Sequence, residues 1–512
     1  MKVPYLFLTI FLCSEYIEGY KVLYLFPFAS KSHKNIFDAL ITELARRDHE
    51  VTVISELSFS QPVKNVKEII IKKSIDFQSA DIQREVFGTI GYHPIFMTFA
   101  FPMFTLPICK SFFQNSDVKK LLKKGKQFDM VIVSGFLNEC ALATAPLLGK
   151  YIISQSPGFL IPWNGAFVPQ PPSYVPHLSL SYTSEMSFFQ RLNNLFTSVS
   201  LNLVHDYYII PTFQSEIAKH IPENPSILEA RNLISLHIDS ADPVLTSPRP
   251  SMPNIVSVGG IHCKKAKPLP QELEDFVQSS GDNGFIYFSL GSNAQSRFLP
   301  EKVKTSLLAA FSKLKQKVIW KYEEELKNAP SNVKVIKWAP QQDLLGHPKI
   351  KGFITHGGLL SLQETVYNAV PVVAVPILGD QHSNIARVEE LKIGYKVDFN
   401  NISEVSIFEA VNEILKESYK ENMMKYSAIF HDRYQQPLEQ AVFWVEYVIK
   451  NDCADCLKSV GEELNFLQYF LIDVIAFISI ILLFVVFGLI FLVKLVMKIA
   501  NKSKLVVEKK QQ

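Results

Sequence analysis

The chain has 512 residues, 48% hydrophobic and 20% charged, a length that accommodates about three domains. Its formal net charge of +3 is too small, and too concentrated near the C-terminus, to argue for a nucleic-acid partner. Six cysteines exclude little: Cys109, Cys140 and Cys263 are single and read as small buried hydrophobes, while Cys453-x-x-Cys456 has no second ligand pair for a metal. That pair is read as either a disulfide or two plain thiols. In chain order, Lys2 leads the apolar run Val3–Cys13 and the small and polar residues Ser14–Gly19 follow, so residues 1–19 read as a signal peptide that removes Cys13.

Lys21–Phe26 (KVLYLF) reads as a buried strand, His33–Arg47 as a helix with apolar residues at Ile36, Leu40 and Leu44, and Val51–Ile54 as the next strand. This β-α-β opening implies a doubly wound α/β sheet. It puts His33 on the rim where a strand's carboxyl end meets a helix start, the usual ligand edge of such sheets. The segment Phe77–Phe113 is crowded with aromatics, broken by Pro94, Pro102 and Pro107, and has no clean period. It is read as core filling, as a membrane-surface contact or, by the resemblance given below, as part of a pocket. Asp129–Ser134 (DMVIVS) reads as a strand and 138–148 as a helix that carries Glu139 in its first turn.

Ser247–Pro253 (SPRPSMP) and Lys264–Pro270 (KKAKPLP) are Pro-rich and mark residues 247–270 as a linker, with a short strand at Val256–Gly260. Strands follow at Phe285–Leu290, ending in Gly291-Ser292-Asn293, and at Lys317–Trp320 and Val333–Trp338. The block Phe353–Asn384 then reads strand, Gly357-Gly358 turn, helix, strand and loop. A helix that starts after two glycines offers free N–H groups and the positive end of its dipole to an anion, for which a phosphate is the natural guest. Glu364, two turns into that helix, suits the two hydroxyls of a ribose, and Asp380-Gln381 follow the next strand on the same rim.

The last block resembles the signature of the UDP-glycosyltransferases, most closely the membrane-bound animal UDP-glucuronosyltransferase type. The resemblance extends to PPSYVP (Pro171–Pro176), GGIHCKKAKPLP (Gly259–Pro270), FSLGSN (Phe288–Asn293) and WAPQQDLLGHP (Trp338–Pro348). It implies a GT-B fold of two Rossmann-like domains, an acceptor-binding domain at 20–246 and a UDP-sugar-binding domain at 271–450. It also implies that His33 is the catalytic base and that Trp338 stacks on uracil while Gln341 bonds its edge. Ser292, His356, Gly357 and Gly358 would hold the diphosphate, Glu364 the ribose, and Asp380 and Gln381 the sugar hydroxyls. Arg249 would grip a glucuronate carboxylate.

The sequence departs from the family at Ser134, where the pattern has an acid that orients the catalytic His. Glu139 is the candidate substitute, against the plainer reading of an ordinary helix N-terminal charge. Asp129 lies roughly 16 Å away along the strand. No Asp-x-Asp pair occurs, so no metal and no cofactor are expected beyond the co-substrate, UDP-glucuronate or UDP-glucose. The expected reaction is inverting transfer to a hydroxyl of a small lipophilic acceptor. The alternative, motivated by Ser134, is a silent UDP-sugar- or lipid-binding membrane protein.

Val474–Val493 carries no charge and is long enough to cross a bilayer core of roughly 30 Å. Lysines dominate the tail 494–512 and acids the segment 451–473, so the tail is expected in the cytosol and the rest in the lumen. Lys509-Lys510-Gln511-Gln512 resembles a dilysine address of the endoplasmic-reticulum membrane. Asn401-Ile402-Ser403 reads as a glycosylation acceptor. Homo- or hetero-oligomerisation is left open.

Overall fold

A computed structural model describes residues 19–28, 30–76, 78–158 and 169–510; the expected signal segment up to residue 18 lies outside it. The first sheet has seven parallel strands: β1 (Lys21–Phe26), β2 (Glu50–Ser55), β3 (Val66–Ile70), β4 (Phe128–Ser134), β5 (Gly149–Gln155), β6 (Ile234–Asp239) and β7 (Ile255–Ser257), in the order β3-β2-β1-β4-β5-β6-β7. The second has six: β8 (Phe285–Ser289), β9 (Lys317–Lys321), β10 (Val333–Ile336), β11 (Ile350–Thr355), β12 (Val372–Ala374) and β13 (Gly394–Lys396), in the order β10-β9-β8-β11-β12-β13. The strand order reverses between β1 and β4 and between β8 and β11, so each sheet opens a ligand crevice beyond its carboxyl edge there.

The half built on the first sheet, expected to bind the acceptor and called the acceptor half below, carries α1 (Lys31–Arg46), α2 (Ala80–Gly88), α3 (Pro94–Gln114), α4 (Ser116–Lys124), α5 (Glu139–Leu148), α6 (Phe188–Val204), α7 (Ile210–Ile217) and α8 (Ile227–Asn232). The half built on the second sheet, expected to bind the UDP-sugar and called the donor half below, carries α9 (Gln271–Gln278), α10 (Glu301–Ser312), α11 (Gln341–Leu345), α12 (Leu359–Tyr367), α13 (Gln381–Glu390), α14 (Glu404–Ile414) and α15 (Glu417–His431). Then come α16 (Pro437–Lys450), α17 (Phe466–Tyr469) and α18 (Ile472–Lys510).

Two elements change sides. Helix α16 buries Ala441, Val442, Val445 and Val448 in the core under β1, β4 and α1, so it belongs physically to the acceptor half although it follows the donor half in sequence. Helix α2 does the reverse. Val86 and Phe87 pack on the donor core, and Phe87 stacks on Phe399 with ring centroids 5.7 Å apart. The stretch expected to be linker contains β7, which is paired in register with β6.

Two local expectations are corrected and one open stretch is resolved. The aromatic segment that ends at Phe113 is largely helical from Ala80 onward: Pro94 sits at the start of α3, where its missing N–H costs nothing, and Pro102 and Pro107 lie inside a helix that continues through them. Cys109 of α3 and Cys140 of α5 are not separate thiols but a disulfide. The strand expected to reach Trp338 stops at Ile336, leaving the indole on the following turn and 61% exposed. Cys453 and Cys456 are also joined, one of the two readings of that pair.

The chain divides into two units, one ending at Leu457 and the other beginning at Lys458. The second holds α18, whose segment Ile472–Asn501 has a mean hydropathy of 3.2 and no buried residue, long and apolar enough to cross a membrane. Within the first unit, α6 exposes Phe188, Phe189, Leu192, Phe196, Val199 and Leu203 at helical spacing, beside Phe96 and Met103 of α3.

Candidate active site

The donor wall is built from loops at the carboxyl ends of β8, β9, β11 and β12. After β8 the chain turns at Gly291 (φ +82°), where a Cβ would stand 2.6 Å from the His356 ring. Gly358, at the start of α12, meets the same ring, 2.7 Å from where its Cβ would be. Both glycines are therefore needed to seat His356 between the two loops. Burial, with the charge of Lys321 adding to it, pushes His356 down to about 4, so its imidazole is neutral, and its Nδ1 has no protein partner. A neutral ring of this kind can give an N–H to a phosphate oxygen beside the amides that open α12. Ser292 is half-buried on the neighbouring loop.

Glu364 is buried on α12 and accepts hydrogen bonds from Nε2 of Gln341 (2.6 Å) and Nε2 of Gln342 (3.0 Å), with His262 at 3.6 Å. Burial outweighs those bonds and raises its carboxyl to about 7. Gln341 also donates to Ser361 Oγ (3.0 Å) and accepts from the Tyr287 hydroxyl (3.3 Å). Both amide hydrogens of Gln341 are thus committed within the protein, and its carbonyl oxygen, shared with the Tyr287 hydroxyl, is the atom that can accept from a further donor. The Trp338 ring lies 4.6 Å from Lys31 Nζ and 5.7 Å from Lys321 Nζ.

Asp380 accepts from Asn384 Nδ2 (2.8 Å), which also donates to the Gly357 carbonyl (3.1 Å), so one amide ties this carboxylate to the Gly357-Gly358 turn. Burial pushes the Asp380 carboxyl up, against the Asn384 bond. Gln381 uses its carbonyl oxygen on the backbone amides of Ile377 (2.8 Å) and Leu378 (3.1 Å), fixing the loop that presents Asp380.

On the acceptor wall, Ser30 caps α1 by accepting from the His33 amide (3.3 Å). Asn138 brackets the backbone of Phe28 from both sides, at 2.9 and 3.3 Å, and so holds the loop that delivers His33. The His33 ring packs edge-on against Phe136, with centroids 5.5 Å apart. Burial lowers its pKa to about 4, and Nδ1 is buried without a partner. The Ser134 hydroxyl is likewise buried and unpartnered. Glu139 makes no hydrogen bond to His33. Burial raises its carboxyl, with His205 acting in the opposite direction, and its Oε2 has no partner among the described residues.

The structure therefore assembles Trp338, Gln341, Glu364, His356, Gly357, Gly358, Asp380 and Gln381 on one wall, with Lys31 reaching Trp338 from the wall of His33. Arg249 is placed differently. Its Nε bonds the Ser247 carbonyl (3.4 Å) and its charge faces Asp239, whose carboxyl burial has raised to about 6.

Sequence reasoning missed Lys321, Asn384 and Gln342. Lys321 is only 8% exposed and donates to the Gly291 carbonyl (2.7 Å) and to Glu323 (3.1 Å), holding the β8 loop from behind. A lysine closing KVIWK looks like any strand end; only the fold turns it inward.

A sequence model of the family described as "UDP-glucoronosyl and UDP-glucosyl transferase" matches residues 21–510. The chain belongs to this family. Among curated relatives, UDP-glucuronosyltransferase 2B17 of Homo sapiens is 31% identical over 469 residues, covering 87% of this chain and 88% of that protein. UDP-glycosyltransferase UGT5 of Dactylopius coccus is 33% identical over 490 residues, covering 94% and 93%. Among solved structures, CalG4, the calicheamicin glycosyltransferase, matches with a TM-score of 0.57 at 17% identity, over 85% of this chain and 99% of that one. At that identity the likeness shows the fold alone, which is GT-B. This UDP-glycosyltransferase is accordingly an enzyme that transfers sugar from a UDP-sugar donor.

Proposed function

We propose that this UDP-glycosyltransferase transfers glucuronate or glucose, with inversion, to a hydroxyl of a small lipophilic acceptor. The observation that carries the reading is the Lys31–Trp338 contact: Lys31 lies two residues before His33, so the base and the uracil platform share one cleft. His33, neutral at physiological pH, accepts the acceptor's proton as the hydroxyl attacks C1. UDP departs toward the N-terminus of α12, where the helix amides, His356 and the nearby Lys321 receive its developing charge. The aromatic helix α3 supports a lipophilic acceptor. The α18 span and the apolar stripe of α6 support a body held at a membrane, in this reading that of the endoplasmic reticulum with both domains lumenal. Asn401 is exposed, as a glycosylation acceptor must be.

One observation favours a second reading, a donor-binding protein with little or no turnover: the described residues give Nδ1 of His33 no acid partner. UDP release by the microsomal protein, measured across a panel of sugar nucleotides with small phenols, separates the two. Turnover with UDP-glucuronate or UDP-glucose supports the enzyme, whereas protection by UDP without release supports the silent binder.

A further inference from the structure

Gln83 of α2 is 1% exposed, yet its sequence neighbours place it in the acceptor half. Its side-chain amide lies against the loop that follows β8 in the donor half. Nε2 donates to the Asn293 carbonyl at 2.6 Å, and Oε1 accepts the Gln295 amide at 2.8 Å. The side chain thus copies one peptide unit of a neighbouring strand, reading a carbonyl and an N–H two residues apart. Lys321 holds the same loop at its other end, through the Gly291 carbonyl at 2.7 Å. Ser292 lies between these two attachments.

Helix α2 and the residues before it are also tied to the donor half by contacts that do not touch loop 291–295. Phe87 stacks on Phe399, and Arg297 Nη2 bonds the Gln78 carbonyl at 3.2 Å while its Nη1 bonds Glu324 at 2.9 Å. A glutamine so buried on a foreign domain is costly unless both ends of its amide are satisfied, and the loop backbone satisfies both.

We propose that Gln83 is a positioning residue for the donor, an amide supplied by the acceptor half that holds loop 291–295 in the shape that receives the diphosphate. The proposal rests on the donor-site reading given above. Helix α2 leads directly into α3, so the segment that precedes the aromatic acceptor helix also sets the geometry of the phosphate loop.

The test uses the full-length membrane protein with UDP as the probe, reading the UDP-induced rise in melting temperature, the UDP inhibition constant and the donor KM and kcat. Gln83→Met keeps the volume and loses both bonds. It is expected to raise the donor KM and the UDP inhibition constant about 10- to 30-fold, with kcat within about twofold of wild type. Gln83→Glu, which keeps the acceptor for the Gln295 amide but sets a carboxylate against the Asn293 carbonyl, is expected to lie at or beyond that loss. Phe87→Leu loosens the same helix without touching the loop; it should lower the melting temperature and leave the UDP constants unchanged. Wild-type UDP constants in Gln83→Met would overturn the inference. So would equal shifts of those constants in Phe87→Leu, which would make α2 a packing element only. A wild-type protein that UDP does not protect would instead overturn the donor-site reading itself.

Discussion

The two walls of the cleft differ in how much of their polar chemistry is already bonded. On the donor wall Glu364 is held by two glutamines, Asp380 by Asn384, and the β8 loop by Lys321 and Gln83, which leaves Nδ1 of His356 and Oδ1 of Asn384 among its open buried atoms. On the acceptor wall His33 has a buried nitrogen with no partner, and Ser134 and Glu139 each hold a buried oxygen without one. The donor side is preorganised for one guest. The acceptor side leaves its proposed base, His33, tuned by burial, which keeps the imidazole unprotonated, and among the described residues no carboxylate bonds Nδ1 to stabilise an imidazolium.

The largest effect that could break this contrast is loss of the base. His33→Ala should lower kcat by about 10²- to 10⁴-fold while leaving UDP inhibition unchanged, because the donor contacts lie on the other wall. Retained turnover would remove His33 from the chemistry. Next comes restoration of the missing acid. Ser134→Asp should raise kcat about tenfold and move the acid limb of the pH profile upward, since a carboxylate beside an imidazole favours its charged form. An unchanged profile would mean that the introduced carboxylate does not reach the ring.

A third experiment sharpens the donor side. With its carboxyl raised to about 7, Glu364 offers two acceptor oxygens to a pair of ribose hydroxyls only in the ionised form that predominates above that pH. Donor kcat/KM should therefore fall about tenfold from pH 8 to pH 6, as the ionised fraction does, and the limb should vanish in Glu364→Gln. A flat wild-type profile between those values would exclude ionised Glu364 from donor recognition. The smallest effect on catalysis concerns Arg249. Facing Asp239 rather than the cleft residues, it should act on stability: Arg249→Ala is expected to lower unfolding free energy by about 2 kcal/mol and to change turnover of UDP-glucuronate and UDP-glucose equally and less than about threefold. A loss confined to UDP-glucuronate would restore the carboxylate-gripping role that the sequence suggests for it.

The same contrast runs through what could be read in advance. Strands β1, β2, β4, β8, β9 and β11 are short apolar runs bounded by turns, and the donor motifs follow them at fixed spacing, so the donor wall was largely legible. Helices α2 and α3 were not, because three prolines obscure the period and the packing that keeps α3 helical comes from distant residues. The Cys109–Cys140 bridge depends on a Cα separation of 5.8 Å across 31 residues of sequence, which no spacing rule supplies. Lys321, Asn384 and Gln83 carry ordinary residue types at ordinary positions. Their roles arise from which backbone atoms the tertiary fold places within about 3 Å of them.

Helix α16 has a consequence for biosynthesis. Its four apolar residues fill the core beneath β1 and α1, strands and helices that leave the ribosome some four hundred residues earlier. Until Val448 has emerged, that half must wait with an apolar groove open along α1, and only a short stretch of chain separates α16 from the Ile472–Asn501 segment. Completion of the acceptor core and synthesis of the long apolar segment are therefore nearly simultaneous events. A chain truncated ahead of Pro437 should remain bound to folding factors even though both of its sheets are complete.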